Sequence, residues 1–172
     1  SHGLKYEMIS KAFCESGFYP RLYSSEKMPK EKFRRILYYY IESGIPLSLG
    51  VTTGVQNKHS IVVIGHGRVN IESQQLKQNV YASYDSKSNN VVWVCDAADI
   101  VDDFCVMDDN QMPYKLMKCK LYKQYQLKLE DYVIETMMVP LYKKMYLEAS
   151  DASEIFKIII ASQEYGISCS DL

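Results

Sequence analysis

The chain lacks the features by which membrane proteins and nucleic-acid-binding proteins are recognised. It has no apolar run approaching the roughly 18 residues that a membrane-spanning helix needs. Its 20 basic and 21 acidic residues give a net charge of -1, which provides no field that would attract nucleic acid or an anionic membrane. We therefore expect no membrane span and no nucleic-acid partner.

The number and spacing of the cysteines also give no indication of disulfide bonds or of a metal site. The five cysteines are an odd number, are widely separated and include no Cys-x-x-Cys pair. The sequence also has no phosphate-binding glycine loop and no metal motif, so we expect no cofactor and no metal. Cys95 and Cys105 lie in apolar segments, where we expect small buried hydrophobic side chains. Unpaired cysteines favour a reducing compartment such as the cytoplasm.

The residues that are present indicate one globular domain over residues 1–172, with 47% apolar and 24% charged residues. Helical spacing of apolar residues predicts a first helix over 4–15. A second helix is predicted to begin at Ser25 or Lys27, with Pro29 in its first turn, and to end at Gly44. A third is predicted to begin at a capping box formed by Asp151 and Glu154 and to end at Gly166. Strands are predicted over 45–51, 60–64, 90–95, 104–107 and 132–139, with a tight turn at 65–67 and a stop at Pro140. Residues 18–23, which include Pro20, are predicted to be an edge strand or a connection. This order predicts an α+β fold with N-terminal helices packed on a mostly antiparallel sheet.

Two polar groups border the predicted strands. His59 precedes the strand over 60–64, and Asp108, Asp109 and Asn110 follow the strand over 104–107. A histidine that acts as a general base needs one ring nitrogen held by a carboxylate or an amide. If the two strands are neighbours, Asp108 lies beside His59. Taken alone, however, the histidine fits a structural role and the Asp-Asp-Asn group fits an ordinary turn.

The segments Glu-Ser-Gly-Ile-Pro-Leu-Ser-Leu-Gly-Val (42–51) and His-Ser-Ile-Val-Val-Ile-Gly-His-Gly (59–67) resemble the histidine half of papain-like cysteine peptidases. They are similar in particular to the bacterial branch that includes the double-glycine leader peptidases. The resemblance extends over residues 28–114 and implies a papain-like fold that cleaves a peptide or similar acyl bond in a peptide or protein substrate. It implies that His59 is the catalytic base and that Asp108 orients it, with Asn110 or Asp109 as other candidates.

The resemblance leaves the nucleophile unassigned. The family's cysteine lies at the N-terminus of a long helix upstream of the histidine, and we expect no such helix in this chain. Cys14 is the only cysteine before His59, but we expect it near the C-terminal end of its helix, where the dipole does not favour a thiolate. We expect a segment upstream of this chain to carry the nucleophile; a natural relative without it is the other interpretation.

The sequence leaves three functional hypotheses. The first is a papain-like thiol hydrolase. The second is a catalytically inactive module of the same fold that binds a protein or peptide beside Gly65, His66 and Gly67. The third is a structural domain in which His59 and Asp108 do not meet.

Overall fold

The structure is a computed structural model that describes residues 5–54, 57–67, 80–85, 90–123, 125–145 and 147–161. Its helices are α1 (Tyr6–Glu15), α2 (Lys30–Glu42) and α3 (Ala149–Ala161). Its strands are β1 (Tyr19–Ser24), β2 (Leu47–Thr53), β3 (Asn57–His66), β4 (Val80–Asp85), β5 (Asn90–Cys95), β6 (Asp103–Met107), β7 (Lys115–Tyr122), β8 (Gln126–Leu129) and β9 (Tyr132–Leu141). Single turns of 3-10 helix cover Ser25–Lys27 and Ala97–Asp99.

Seven of these strands form one antiparallel sheet in the order β1-β9-β2-β3-β6-β7-β8. Strand β8 also pairs with β9, so that the six strands from β9 to β8 form a closed ring of pairings. Strands β4 and β5 make a separate two-stranded sheet. The prediction of an α+β fold with a mostly antiparallel sheet is therefore confirmed.

The core follows from two periodicities in the sequence. Every second residue of the strands faces inward, as Leu49 and Val51 do in β2 and Ile61 and Val63 do in β3. Helix α2 places most of its buried side chains at helical spacing over this sheet: Phe33, Ile36, Leu37, Tyr40 and Ile41. Each fully buried side chain of this size contributes about 1.5–3 kcal/mol. This packing fixes the inward face of β3, which also carries His59.

The predicted tight turn at residues 65–67 is wrong. Gly65 and His66 belong to β3, where they pair with Cys105 and Phe104 of β6 after a register shift beyond Val63. The hydrogen bonds of the neighbouring strand outweigh the local preference of glycine for a turn. The strand also begins earlier than predicted, so that His59 is its third residue.

Several smaller predictions are also corrected. Pro29 is the N-cap of α2 and lies outside its first turn, since its carbonyl accepts the first helical hydrogen bond, from Phe33. Asp151 lies within the first turn of α3, two residues after the helix begins, so it does not form the predicted capping box. Pro140 does not end β9 but pairs with Pro20 of the edge strand β1. The predicted helix end at Gly166 lies outside the described residues.

The cysteines are distributed differently from the prediction. Cys95 and Cys105 are only partly buried, whereas Cys119, on the inward face of β7, is fully buried. The sequence patterns do not predict β7, which carries Cys119, or β8. Cys14 lies near the end of α1, as expected, and is exposed.

Helix α1 packs on the outward face of the sheet through a contact that requires glycine. The Tyr6 hydroxyl lies against Gly50 of β2 and is hydrogen bonded to the Thr136 hydroxyl of β9. A Cβ atom at Gly50 would overlap both the Tyr6 ring and Thr136. The glycine therefore allows α1 to approach the sheet at this point.

We expect Gly50→Ala to lower the free energy of unfolding by about 1–3 kcal/mol, because the new methyl group displaces Tyr6. Gly54→Ala is the matched control, since a Cβ atom there meets nothing within 4 Å and its effect should stay within about 0.5 kcal/mol. Urea unfolding of both variants measures the difference. Equal stability of the two variants would show that α1 does not depend on this contact.

Candidate functional site

The structure brings His59 and Asp108 together at one end of the sheet. Strands β3 and β6 are antiparallel neighbours in which Val62 lies opposite Met107. Both His59 and Asp108 therefore belong to the inward-facing rows at the same end of these strands. The His59 Nε2 atom lies 2.9 Å from Asp108 Oδ1. This is the contact that the sequence predicted, while its catalytic role stays a prediction.

The Asp108 carboxylate is buried, with 1% of its side chain exposed, and it is surrounded by hydrogen-bond donors. Tyr132 donates its hydroxyl to Oδ2 at 2.6 Å, and the backbone N–H of Asn110 donates to Oδ1 at 2.9 Å. Burial acts to raise the pKa of Asp108, but the hydrogen bonds from Tyr132, Asn110 and His59 outweigh it and hold the pKa below its usual value. The group is therefore a carboxylate at neutral pH.

Tyr132 and Gln111 are site residues that the sequence analysis missed. Tyr132 is the first residue of β9 and is buried; Gln111 Nε2 donates to its hydroxyl oxygen at 2.9 Å. The hydrogen bond to Asp108 and burial both raise the pKa of Tyr132. The only sequence signal was that Tyr132 opens a predicted strand two residues before the inward-facing Ile134. Nothing local indicated that β9 begins beside Asp108.

The other two candidates, Asp109 and Asn110, approach the same nitrogen of His59. Asp109 Oδ1 lies 3.3 Å from Nε2, although its side chain is 83% exposed, and Asn110 Nδ2 lies 3.2 Å from Nε2. Among the residues that the structure describes, no group is hydrogen bonded to Nδ1 of His59. When Nε2 carries the proton and donates to Asp108, Nδ1 holds the lone pair that accepts a proton.

The turn interpretation of residues 108–110 also applies. Asp108 Oδ1 accepts the N–H of Asn110, two residues later, which is the hydrogen bond of an Asx turn. The same oxygen accepts from His59. The turn therefore fixes the orientation of the carboxylate toward the histidine, and the two interpretations are compatible.

No cysteine in the described part of the chain is bonded to His59. Cys105 pairs with Gly65, six residues along β3 from His59, which corresponds to roughly 20 Å. Burial raises the pKa of Cys119 to about 12. Burial and the nearby Asp99 and Asp96 carboxylates raise the pKa of Cys95. None of these thiols has the environment of an activated nucleophile.

The second histidine of β3, His66, has a structural environment. Its Nε2 lies 2.5 Å from Glu42 Oε2, at the end of α2, and its Nδ1 lies 2.8 Å from the Gly67 carbonyl oxygen. Both partners are acceptors, so these contacts favour the imidazolium form, in which both ring nitrogens donate. Burial acts to lower the pKa of His66, but the Gly67 and Glu42 hydrogen bonds raise it overall. His66 thus ties β3 to α2.

Comparisons with protein-family models, with curated proteins and with solved structures found no match to this chain. In the described ranges, no helix combines the length and the apolar character needed to cross a membrane.

We expect Tyr132→Phe to lower the free energy of unfolding by about 1–3 kcal/mol, because it leaves a buried carboxylate oxygen without its donor. Tyr125→Phe is the control. Tyr125 is 79% exposed, so this substitution removes a hydroxyl from the surface. Chemical denaturation at neutral pH measures both. If the two substitutions have the same effect, the Tyr132 hydroxyl does not stabilise Asp108.

The His66 link predicts a pH dependence of stability. Because the pKa of His66 is raised above 6.5 in the folded chain, its contribution is full below that value and is lost as the pH rises through the folded pKa. The pair is partly exposed, so the contribution stays below about 1 kcal/mol. The difference in unfolding free energy between the wild type and His66→Gln should therefore shrink as the pH rises from below 6.5 through the folded pKa. A difference that grows with pH would contradict the imidazolium assignment.

Proposed function

We propose that this chain supplies the histidine base and the orienting carboxylate of a papain-like thiol hydrolase that cleaves a peptide or similar acyl bond. The observation that carries the proposal is the contact of His59 Nε2 with the buried Asp108 carboxylate, at 2.9 Å. This contact fixes the ring and leaves Nδ1 to act as the base.

The order of elements supports the same family. Helix α2 is followed by Gly44, which has a left-handed backbone with φ of 74°, then by Pro46 and the buried strand β2. The histidine-bearing strand β3 comes next. Helix, glycine-x-proline and histidine strand thus occur in the order that the resemblance implies.

Each group then has a defined role. His59 Nδ1 accepts the proton of a thiol, and the resulting thiolate attacks the carbonyl carbon of the substrate. Asp108 stabilises the imidazolium through Nε2–H while Tyr132 and Asn110 keep the carboxylate in place. His59 then returns the proton to the leaving group and activates the water that hydrolyses the thioester.

The thiol comes, in this proposal, from outside the residues that the structure describes. The described cysteines are remote from His59, have raised pKa values or lie near a helix C-terminus. The lack of a described thiol beside His59 also favours the second candidate, a module of the same fold that binds peptide without cleaving it.

The test uses the natural protein that contains this chain, with all of its flanking sequence. We expect iodoacetamide to alkylate one cysteine much faster than the others, and we expect His59→Ala to lower both this rate and peptide hydrolysis by about 10²-fold or more. His66→Gln is the control, because it alters the other histidine of β3, and it should leave both rates unchanged. Mass spectrometry identifies the alkylated residue and the cleaved bonds.

The two candidates give opposite results in this test. Hydrolysis that survives His59→Ala in a folded protein would contradict the proposed base. Peptide binding without hydrolysis, in a protein whose cysteines all react slowly, would establish the binding module instead.

A further inference from the structure

We propose that His59, Asp108 and Asp109 form a binding site for a divalent cation of the Zn²⁺ class, in which the metal takes the place of the proton on Nε2. One imidazole nitrogen and two carboxylate oxygens, one from each residue, lie within 4.8 Å of one another. Imidazole with carboxylate is a donor set that Zn²⁺ accepts, and three protein ligands leave a fourth position for water.

The distances between the ligand atoms suit tetrahedral zinc. Zinc binds nitrogen and oxygen ligands at about 2.0–2.2 Å, which places the ligand atoms of a tetrahedron about 3.3–3.6 Å apart. Nε2 lies 2.9 Å from Asp108 Oδ1 and 3.3 Å from Asp109 Oδ1. The Asp109 distance already lies in this range, whereas Nε2 of His59 must move away from Asp108 by about 0.4 Å.

The surroundings of Asp108 are an independent argument. Ligands of protein-bound metals are normally held by hydrogen bonds from a second layer of residues. Tyr132 donates to Oδ2 and is itself held by Gln111, while the Asn110 backbone donates to Oδ1. The carboxylate is thus held in position before any ligand arrives.

The Asn110 side chain gives a further indication. Its amide nitrogen, a donor, lies 3.2 Å from Nε2, which is also the donor to Asp108. Two donors that face each other repel, and a half-turn of the amide would bring Oδ1 to the same place. That oxygen would then be able to take the fourth position of a cation bound at Nε2 in place of water.

Binding of the cation has a defined consequence for the histidine. When the metal occupies Nε2, the ring proton moves to Nδ1, so that the ring stays neutral and no proton is released. Nδ1 then has no lone pair with which to accept a proton. The binding itself does not depend on the proposed hydrolase, but its effect, inhibition of hydrolysis, rests on that function.

The test is calorimetric titration of this chain with ZnCl₂. A Cys14→Ser background removes a thiol that is exposed in the described part of the chain and could compete for zinc. We expect one ion per chain, and we expect His59→Ala and Asp109→Asn each to weaken the affinity by at least about 10-fold. His66→Gln removes the other histidine–carboxylate pair of the described residues and should leave the affinity unchanged.

A second measurement guards against variants that fail to fold. The ¹⁵N chemical shifts of the His59 ring should show, on addition of Zn²⁺, a metal on Nε2 and a proton on Nδ1. The proposed site would be contradicted if zinc does not bind, or if neither His59→Ala nor Asp109→Asn changes the zinc affinity. Zinc binding in a natural protein that shows no hydrolysis would support the metal site and contradict the hydrolase. His59-dependent hydrolysis in a protein that does not bind zinc would support the hydrolase and contradict the metal site.

Discussion

The burial of the Asp108 carboxylate is the constraint on which the rest of the site depends. A buried charge is tolerated only when donors replace the water that it loses. Here the donors come from three parts of the chain: His59 in β3, the backbone of Asn110 in the turn after β6, and Tyr132 at the start of β9. The carboxylate thereby joins strands that the sheet order separates, and the geometry of His59 follows from it.

The contact between His59 and Asp108 could be predicted from the sequence, because it depends only on two strands being neighbours. Alternating apolar residues show which face of β3 and β6 is buried, and a residue at the end of each row, His59 and Asp108, lies on that face. A slip of one residue would turn His59 to the opposite face of the sheet. The pairing of β3 with β6 itself was an assumption, which the structure supports.

The position of Tyr132 and the extended course of residues 65–66 depend on contacts that no local sequence pattern reveals. Tyr132 reaches Asp108 because β8 pairs with β9 and closes the ring of strands, whereas no pattern in the sequence indicates β8. The residue types of Gly65 and His66 predict a turn, but pairing with β6 keeps these residues extended. Local preferences of about 1 kcal/mol are easily outweighed by a ladder of hydrogen bonds and by the packing of a shared face.

One ring nitrogen carries both proposed uses of the site. As a donor to Asp108, Nε2 holds a proton and makes Nδ1 basic; as a ligand, it holds a cation and the proton moves to Nδ1. An ionised, firmly held Asp108 favours both states, because a carboxylate attracts an imidazole N–H and a metal ion alike. What separates the two states is Asp109, which is not needed to orient a base but would be a ligand of the cation. The proton-relay state and the cation-bound state therefore exclude each other on a single histidine, and the exposed carboxylate of Asp109 decides how readily one replaces the other.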